Sequence, residues 1–168
     1  MNSAATFDRE MSAGLCSACG IPLDSQYFDD SSVKDVPVDE LGKEIVGEEI
    51  VLARFDLPPQ YCGVLQYFAQ FSDVFALNNS IDTPNIEWRL LANNHALFPY
   101  LSLRHIVNPW GFGSYPVNIR LDESSTVELV ARVVKPTTED DLITKVGGRI
   151  MGRFWYNASY GDVERRSY

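Results

Sequence analysis

Short apolar runs separated by turn-forming residues occupy the chain from Ile50 onward, and this pattern limits the fold more than any other feature. The runs are rich in Val, Ile, Phe, Tyr and Trp, which favour pleated strands. Pro, Gly and Asn divide them at the spacing typical of β-sandwiches. Residues 127, 129, 131 and 133 are apolar while Glu128 and Arg132 have the opposite parity, as expected when one sheet face is buried. The sequence therefore predicts an all-β chain folded as an antiparallel, jelly-roll-like β-sandwich.

The number of apolar runs between these turn-forming residues predicts about seven strands. The predicted strands are 50–56, 63–71, 86–92, 96–104, 117–121, 126–134 and 148–156. Asn93 and Asn94 tolerate positive φ and predict a tight hairpin turn between two of them. The prolines at 58 and 59 cannot donate to a strand ladder, so we expect the chain to cross between the two sheets there.

Acidic charge is concentrated at the N-terminus. Residues 1–49 hold 11 acidic and 3 basic groups, a net −8, which leaves −1 for residues 50–168. Few apolar residues and no sustained period occur before Ile50, so we expect an extended acidic arm over residues 1–49, outside the core, and a sandwich body over residues 50–168. The body has no cluster of Lys and Arg, and no run approaches the ~18 apolar residues of a membrane span. The sequence predicts neither nucleic acid nor a membrane as partner.

Potential metal ligands are few and scattered. Cys16 and Cys19 have the spacing of half a zinc knuckle, but the further ligands would have to be Cys62, His95 or His105, which form no second close pair. An odd number of cysteines also agrees with a reducing compartment. We therefore expect free thiols, ordinary histidines and no bound metal.

Other motifs with possible chemistry have simpler interpretations. The acids Asp122–Glu123 and 139–141 are expected to be solvated turn residues, with calcium as the alternative. The glycines of 111–113 and 147–152 lack the strand-then-helix context of a phosphate-binding loop and are expected in turns and bulges. No Gly-x-Ser-x-Gly motif is present. The sequence predicts no catalytic residue, no cofactor and no enzyme.

One loop stands out as a candidate contact surface. Residues 108–116 place Trp110, Phe112 and Tyr115 among glycines and prolines. Aromatic side chains on a loop favour contact with a partner protein, and sugar rings are the alternative ligand. These three residues are the predicted partner-binding site.

The layout from Leu57 to about Tyr160 resembles the small β-sandwich and jelly-roll accessory proteins of tailed-bacteriophage virions, such as capsid decoration or cement proteins. The matching text is the Pro-rich corner before Gly63-Val64-Leu65, the Trp88 strand with its Asn turn, and Ser124-Ser125-Thr126-Val127-Glu128-Leu129 leading to Gly148-Arg149-Ile150-Met151-Gly152. The resemblance implies a structural virion protein made in the host cytoplasm. Its implied partners are other copies of itself and another virion protein such as the major capsid protein.

Three alternatives stay open from the sequence. The chain could be a neck, tail or fibre component of a virion, or a carbohydrate- or protein-binding sandwich module that uses the same aromatic loop. A small metal-dependent β-barrel enzyme is the third, with Cys16, Cys19, His95 and His105 as the available ligands.

Overall fold

The fold is an all-β sandwich in the part of the chain that the structure describes. The structure is a computed structural model and describes residues 21–22, 25–72, 86–97, 115–135 and 143–156. The strands are β1 (Gln26–Asp35), β2 (Glu49–Asp56), β3 (Tyr61–Ser72), β4 (Ile86–Ala92), β5 (His95–Ala96), β6 (Tyr115–Leu121), β7 (Thr126–Val133) and β8 (Lys145–Tyr156).

Two four-stranded antiparallel sheets pack face to face. The first sheet has the order β1-β8-β3-β6 and the second β2-β7-β4-β5. Each strand of the first half therefore pairs with its mirror in the second half, β1 with β8, β2 with β7, β3 with β6 and β4 with β5. This is one long antiparallel ribbon rolled up, the double-sheet arrangement of a jelly roll. The predicted fold class is confirmed.

The structure corrects the expectation that all residues before Ile50 lie outside the core. β1 pairs along its whole length with β8, from Gln26↔Phe154 to Asp35↔Lys145. Phe28 and Val36 are buried among the core residues. The sequence did not reveal β1 because the segment is rich in acidic and polar residues, and Phe28 is the only large apolar residue of β1 that is buried. Residues 1–20 of the predicted arm lie outside the described residues.

The predicted hairpin and sheet crossing are confirmed. Asn93 and Asn94 have φ of 51° and 63°, and the Asn93 side-chain oxygen accepts a hydrogen bond from the Thr126 backbone at 2.8 Å. After the hairpin, β5 is described only to Ala96, so the rest of the predicted strand 96–104 falls largely outside the described residues. The Pro-containing corner joins β2 of the second sheet to β3 of the first, and Gln60 turns it with a φ of 67°.

The interior is built from the faces on which the two sheets meet. Val127, Leu129, Ala131 and Val133 are all buried, as their alternation predicts. Phe68, Leu65 and Ile150 face them from the first sheet, and Trp88 is among the largest fully buried side chains. The core therefore lies between the sheets and includes residues from both halves of the chain.

The glycines of β8 are not turn or bulge residues, which corrects the expectation for 147–152. They lie inside the strand, and two of them face the interior. A Cβ on Gly148 would lie 2.7 Å from Leu129 Cδ2, and one on Gly152 would lie 2.6 Å from the Phe28 ring. Bare backbone at these points lets neighbouring side chains pack directly on β8.

Side-chain hydrogen bonds close one side of the sandwich, where β1 and β2 are the edge strands of the two sheets. The Asp30 carboxylate accepts from the Arg54 backbone N–H at 2.7 Å. The Ser32 hydroxyl donates to the carbonyl of Leu52, which lies at a register shift in β2. These bonds satisfy backbone groups that an open sheet edge would leave unpaired.

The substitution Gly152→Ala should destabilise the fold by about 3 kcal/mol, because the added methyl would overlap both the Phe28 ring and the backbone oxygen of Val64. Gly147→Ala in the same strand is the matched control. Its methyl would lie 3.0 Å from the exposed side chain of Val33, which can rotate away, and 3.2 Å from the backbone oxygen of Ser32. These contacts are much wider than those at Gly152, so we expect a loss of about 1 kcal/mol. Urea unfolding of both variants measures the difference, and equal losses would contradict the packing role of Gly152.

Candidate functional site

The predicted aromatic loop lies mostly outside the described residues. Trp110 and Phe112 fall there, and Tyr115 is the first residue of β6, with only its backbone described. Tyr115 pairs with Phe68, near the C-terminal end of β3. Whether the three aromatic residues form one surface therefore stays a prediction.

The candidate metal ligands that the structure describes do not come together. Cys62 is half-buried in β3 of the first sheet, and burial raises the pKa of its thiol. His95 is exposed in β5 of the second sheet. No group of three His, Cys, Asp or Glu side chains suited to a metal occurs among the described residues. Cys16, Cys19, His105 and the acids 139–141 lie outside them.

The acidic pair Asp122–Glu123 lies in the turn between β6 and β7 and has local partners. The Asp122 carbonyl accepts from the Ser125 N–H at 3.2 Å, and its carboxylate pairs with Arg120 at 3.1 Å. A Glu123 carboxylate oxygen accepts from the Gln60 N–H at 3.2 Å, so the two neighbouring turns are tied together. These contacts give both acids a role in shaping turns.

The outer face of the first sheet carries three of the four exposed aromatic side chains among the described residues. Its side chains form four rows across β1, β8 and β3. From one end to the other the rows are Tyr27–Arg153–Val64, Asp29–Met151–Tyr67, Ser31–Arg149–Ala69 and Val33–Gly147–Phe71. Tyr27 is 69% exposed and Val33 61%, and Tyr67 and Phe71 are also exposed. We call these twelve residues the apolar face.

Two arginines order this face. Arg149 forms a bidentate ion pair with the Asp29 carboxylate: Nε donates to Oδ1 at 2.7 Å, and Nη2 donates to Oδ2. Arg153 places its guanidinium carbon 4.8 Å from the centre of the Tyr27 ring, a cation–π contact. Both contacts join β1 to β8, so the exposed tyrosine and its neighbours are held in place and not left to rotate freely.

A cavity of about 360 Å³ opens at one end of the apolar face. Gly147, Val33, Phe71 and Arg149 are among its lining residues. A Cβ on Gly147 would lie 3.0 Å from Val33 Cγ2 and 3.4 Å from Phe71 Cδ1, so the glycine leaves the space between these two side chains. This volume lies at the lower end of the range of small-ligand pockets, and it also leaves room for one inserted side chain of a partner.

The outer face of the second sheet is built differently. Glu87, although buried, accepts from Arg89 at 3.1 Å and from Arg132 Nε at 2.9 Å, and buried Glu128 accepts from Arg54 at 3.0 Å. Beneath these ion pairs Val130 is only 2% exposed. Glu128 is therefore buried although its parity places it on the outer face.

Ion pairs also neutralise the remaining charge around that network. Arg54 bonds Asp56 at 3.0 Å, and Asp56 in turn accepts from the Thr126 hydroxyl at 2.7 Å. Charges that are paired in this way are costly to strip of water and poorly suited to a new contact. The two outer faces of the sandwich therefore differ in degree: one is dominated by ion pairs with buried glutamates, whereas the other presents exposed aromatic side chains beside the Arg149–Asp29 ion pair.

Sequence reasoning missed the apolar face because its residues come from three strands that are distant in the chain. One signal was present: Tyr27 and Val33 have the same parity in a strand, so they lie on one face once β1 is recognised. The acidic residues between them obscured that strand.

Comparison with protein-family models, with curated proteins and with solved structures finds no match to this chain. None of the residues that the structure describes belongs to a helix able to cross a membrane.

The Arg149–Asp29 pair predicts a pH effect. The hydrogen bond from Arg149 lowers the pKa of Asp29, so Arg149→Gln should raise the pKa of Asp29 toward its ordinary value. Because the folded pKa is the lower one, the pair contributes stability above the ordinary pKa of Asp and loses it as the pH falls through the folded value. The difference in unfolding free energy between wild type and variant should therefore shrink on acidification.

Carboxyl-carbon NMR titration measures this shift directly. Asp56 is the internal control, because hydrogen bonds from Arg54 and Thr126 lower its pKa and Arg149 is not among its partners. Its pKa should be the same in both proteins. An unchanged pKa for Asp29 in the variant would contradict the proposed pairing.

Proposed function

We propose that this protein is a non-enzymatic structural protein of a virus particle, most specifically a capsid decoration protein, and that it binds neighbouring subunits through the apolar face. The observation that carries the proposal is the contrast between the two outer faces. Ion pairs dominate one of them, whereas the other exposes Tyr27, Tyr67, Val33 and Phe71, the last two of which line a cavity. An exposed apolar patch on a soluble domain marks a contact site.

The composition of the apolar face supports a protein partner. Eight of its twelve residues are Tyr, Phe, Met, Arg or Val, and the first four of these types are enriched in protein interfaces. Asp29, Ser31 and Ala69 belong to types that interfaces contain less often, whereas Lys and Glu are absent from the twelve. The ordered side chains Tyr27 and Arg149 lose little conformational entropy on binding.

The jelly-roll fold supports a role in a virus particle by analogy. Jelly rolls of eight strands occur in viral capsid proteins and in lectins, so the fold alone does not choose between assembly and sugar binding. The resemblance in sequence layout to phage decoration proteins favours assembly over sugar binding. On the apolar face, Arg153 already occupies one side of the Tyr27 ring, which reduces its use as a stacking platform for sugars.

Incorporation into particles tests the proposal. In cells that produce the particle, the wild-type chain should co-sediment with particles purified on a density gradient, in a fixed ratio to the major capsid protein. The double variant Val33→Ser, Phe71→Ser should lower this ratio at least about tenfold, because both side chains border the cavity.

Val51→Ser is the matched control, since Val51 is an exposed strand valine on the ion-paired outer face of the second sheet. It should leave incorporation unchanged. A chain that stays wholly in the soluble fraction would argue against the virion setting, and equal loss with both variants would argue against the apolar face. Binding of the wild-type chain on a glycan array, abolished by the double variant, would favour the lectin alternative.

A further inference from the structure

A short rigid hairpin projects between β1 and β2. Residues 36–47 leave the first sheet, form a β-bridge between Val38 and Glu44, and enter the second sheet. Gly42, at a φ of 75°, turns its tip, and no atom lies within 4 Å of where its Cβ would be. We call residues 36–47 the acidic hairpin.

The tip of the acidic hairpin is held by its own hydrogen bonds. One carboxylate oxygen of Asp39 accepts from the backbone N–H of Leu41 at 2.9 Å and of Lys43 at 2.8 Å. The Asp39 N–H donates to the Lys43 carbonyl at 2.7 Å. An Asp side chain that accepts a hydrogen bond from the backbone N–H two residues ahead forms an Asx-turn, which stabilises the turn as a backbone hydrogen bond would.

The base of the acidic hairpin is tied to the sandwich at three points. The Val36 N–H donates to the Thr144 carbonyl at 2.9 Å, and the Gly47 N–H donates to the Val133 carbonyl at 2.8 Å. Glu44 is only 6% exposed, and its carboxylate accepts from the Ile143 N–H at 3.3 Å. The hairpin is therefore ordered before it meets any partner, which reduces the entropic cost of binding.

This ordered element displays apolar side chains to solvent. Leu41, at the tip, is 82% exposed, the highest value among the large hydrophobic residues that the structure describes. Val38, Ile45 and Val46 are exposed beside it. Exposure of a leucine side chain to water is unfavourable in the isolated chain, and its burial against a partner would remove that apolar surface from water.

Charge indicates what kind of partner fits. The acidic hairpin holds the acids Asp39, Glu40 and Glu44 and one lysine, Lys43, a net −2, and Glu44 is buried. The flanking residues 33–35 and 48–49 add a further −2, so the surface around Leu41 is negative. Such a surface is repelled by nucleic acid and by anionic membranes, and a second copy of this chain carries −9 overall. The complementary surface is an apolar socket ringed by Lys and Arg on a different protein.

We propose that the acidic hairpin docks into an apolar, positively charged socket on a different protein, with Leu41 as the inserted side chain. This contact is separate from the apolar face, and it rests on the proposed function only in that the chain works by binding a protein. The acids around Leu41 accelerate encounter, and the leucine determines how long the complex lasts.

Site-specific photo-crosslinking identifies the partner and its chemistry. Benzoylphenylalanine replaces Leu41 in the full-length protein, and in a control protein it replaces Asn118, an exposed residue of β6. Position 41 should yield one dominant adduct, and the crosslinked peptide should carry Lys or Arg beside apolar residues. No product at 41, equal products at both positions, or an adduct with the chain itself overturns the proposal.

Binding of the captured protein, purified, then tests the energetics. Leu41→Ser should weaken binding at least about tenfold, whereas Leu41→Met, which keeps the apolar volume, should retain it. Glu40→Lys should slow association and reduce its dependence on salt. Thermal unfolding should be unchanged in these variants, because both side chains are exposed. Unchanged affinity in Leu41→Ser overturns the proposal, as does equal binding of wild type and variant to vesicles that contain phosphatidylserine.

The two proposals fail independently. The Val33→Ser, Phe71→Ser variant leaves the acidic hairpin intact, so position 41 should still crosslink in that background. Loss of particle incorporation with an intact crosslink would assign the apolar face to assembly and the hairpin to a separate partner. An intact particle ratio with no crosslink at 41 would overturn the hairpin proposal alone.

Discussion

The direct packing of side chains on bare backbone in β8 is the constraint on which the sandwich depends. β8 lies inside the first sheet between β1 and β3, and its inward positions 148 and 152 carry no side chain. Leu52 and Leu129 therefore reach Gly148 from the second sheet, and the Phe28 ring covers Gly152. Protein interiors tolerate few voids and little overlap, so these contacts set both the spacing of the two sheets and the position of β1. The ordered outer surface of the first sheet follows from that position.

The same strand organises both sides of the first sheet. Its inward residues receive the core, while its outward residues Arg149 and Arg153 hold Asp29 and Tyr27 of β1. The second sheet instead covers its outer side with paired charges around Glu87 and Glu128. Ion pairs of this kind contribute modest stability but discourage unspecific contacts. The sandwich thus presents an apolar face on one side, a satisfied polar face on the other and a rigid acidic hairpin at one end.

Sequence reasoning succeeded where structure is local. The Asn93–Asn94 turn depends on two residues that accept positive φ, and the burial of Val127, Leu129, Ala131 and Val133 follows from strand alternation. It failed for β1, whose ten residues include a single buried large apolar side chain among acids and serines. The partner of that strand lies far away in sequence, since Asp29 and Arg149 are 120 residues apart. The apolar face could not be foreseen for the same reason, because it exists only after β1, β8 and β3 are paired.

By itself, the sequence determined the β-rich class, the hairpin, the crossing at the Pro corner and the buried parity of β7. These depend on φ preferences and on a period of two, which act within a few residues. Only the tertiary structure decided that eight strands roll into a jelly roll, that the segment before Ile50 supplies one of them and that Leu41 is exposed on a fixed turn. The physical reason is that alternation specifies which face of a strand is buried but not which strand lies beside it. That choice is made by side-chain packing between distant segments, such as Phe28 on Gly152.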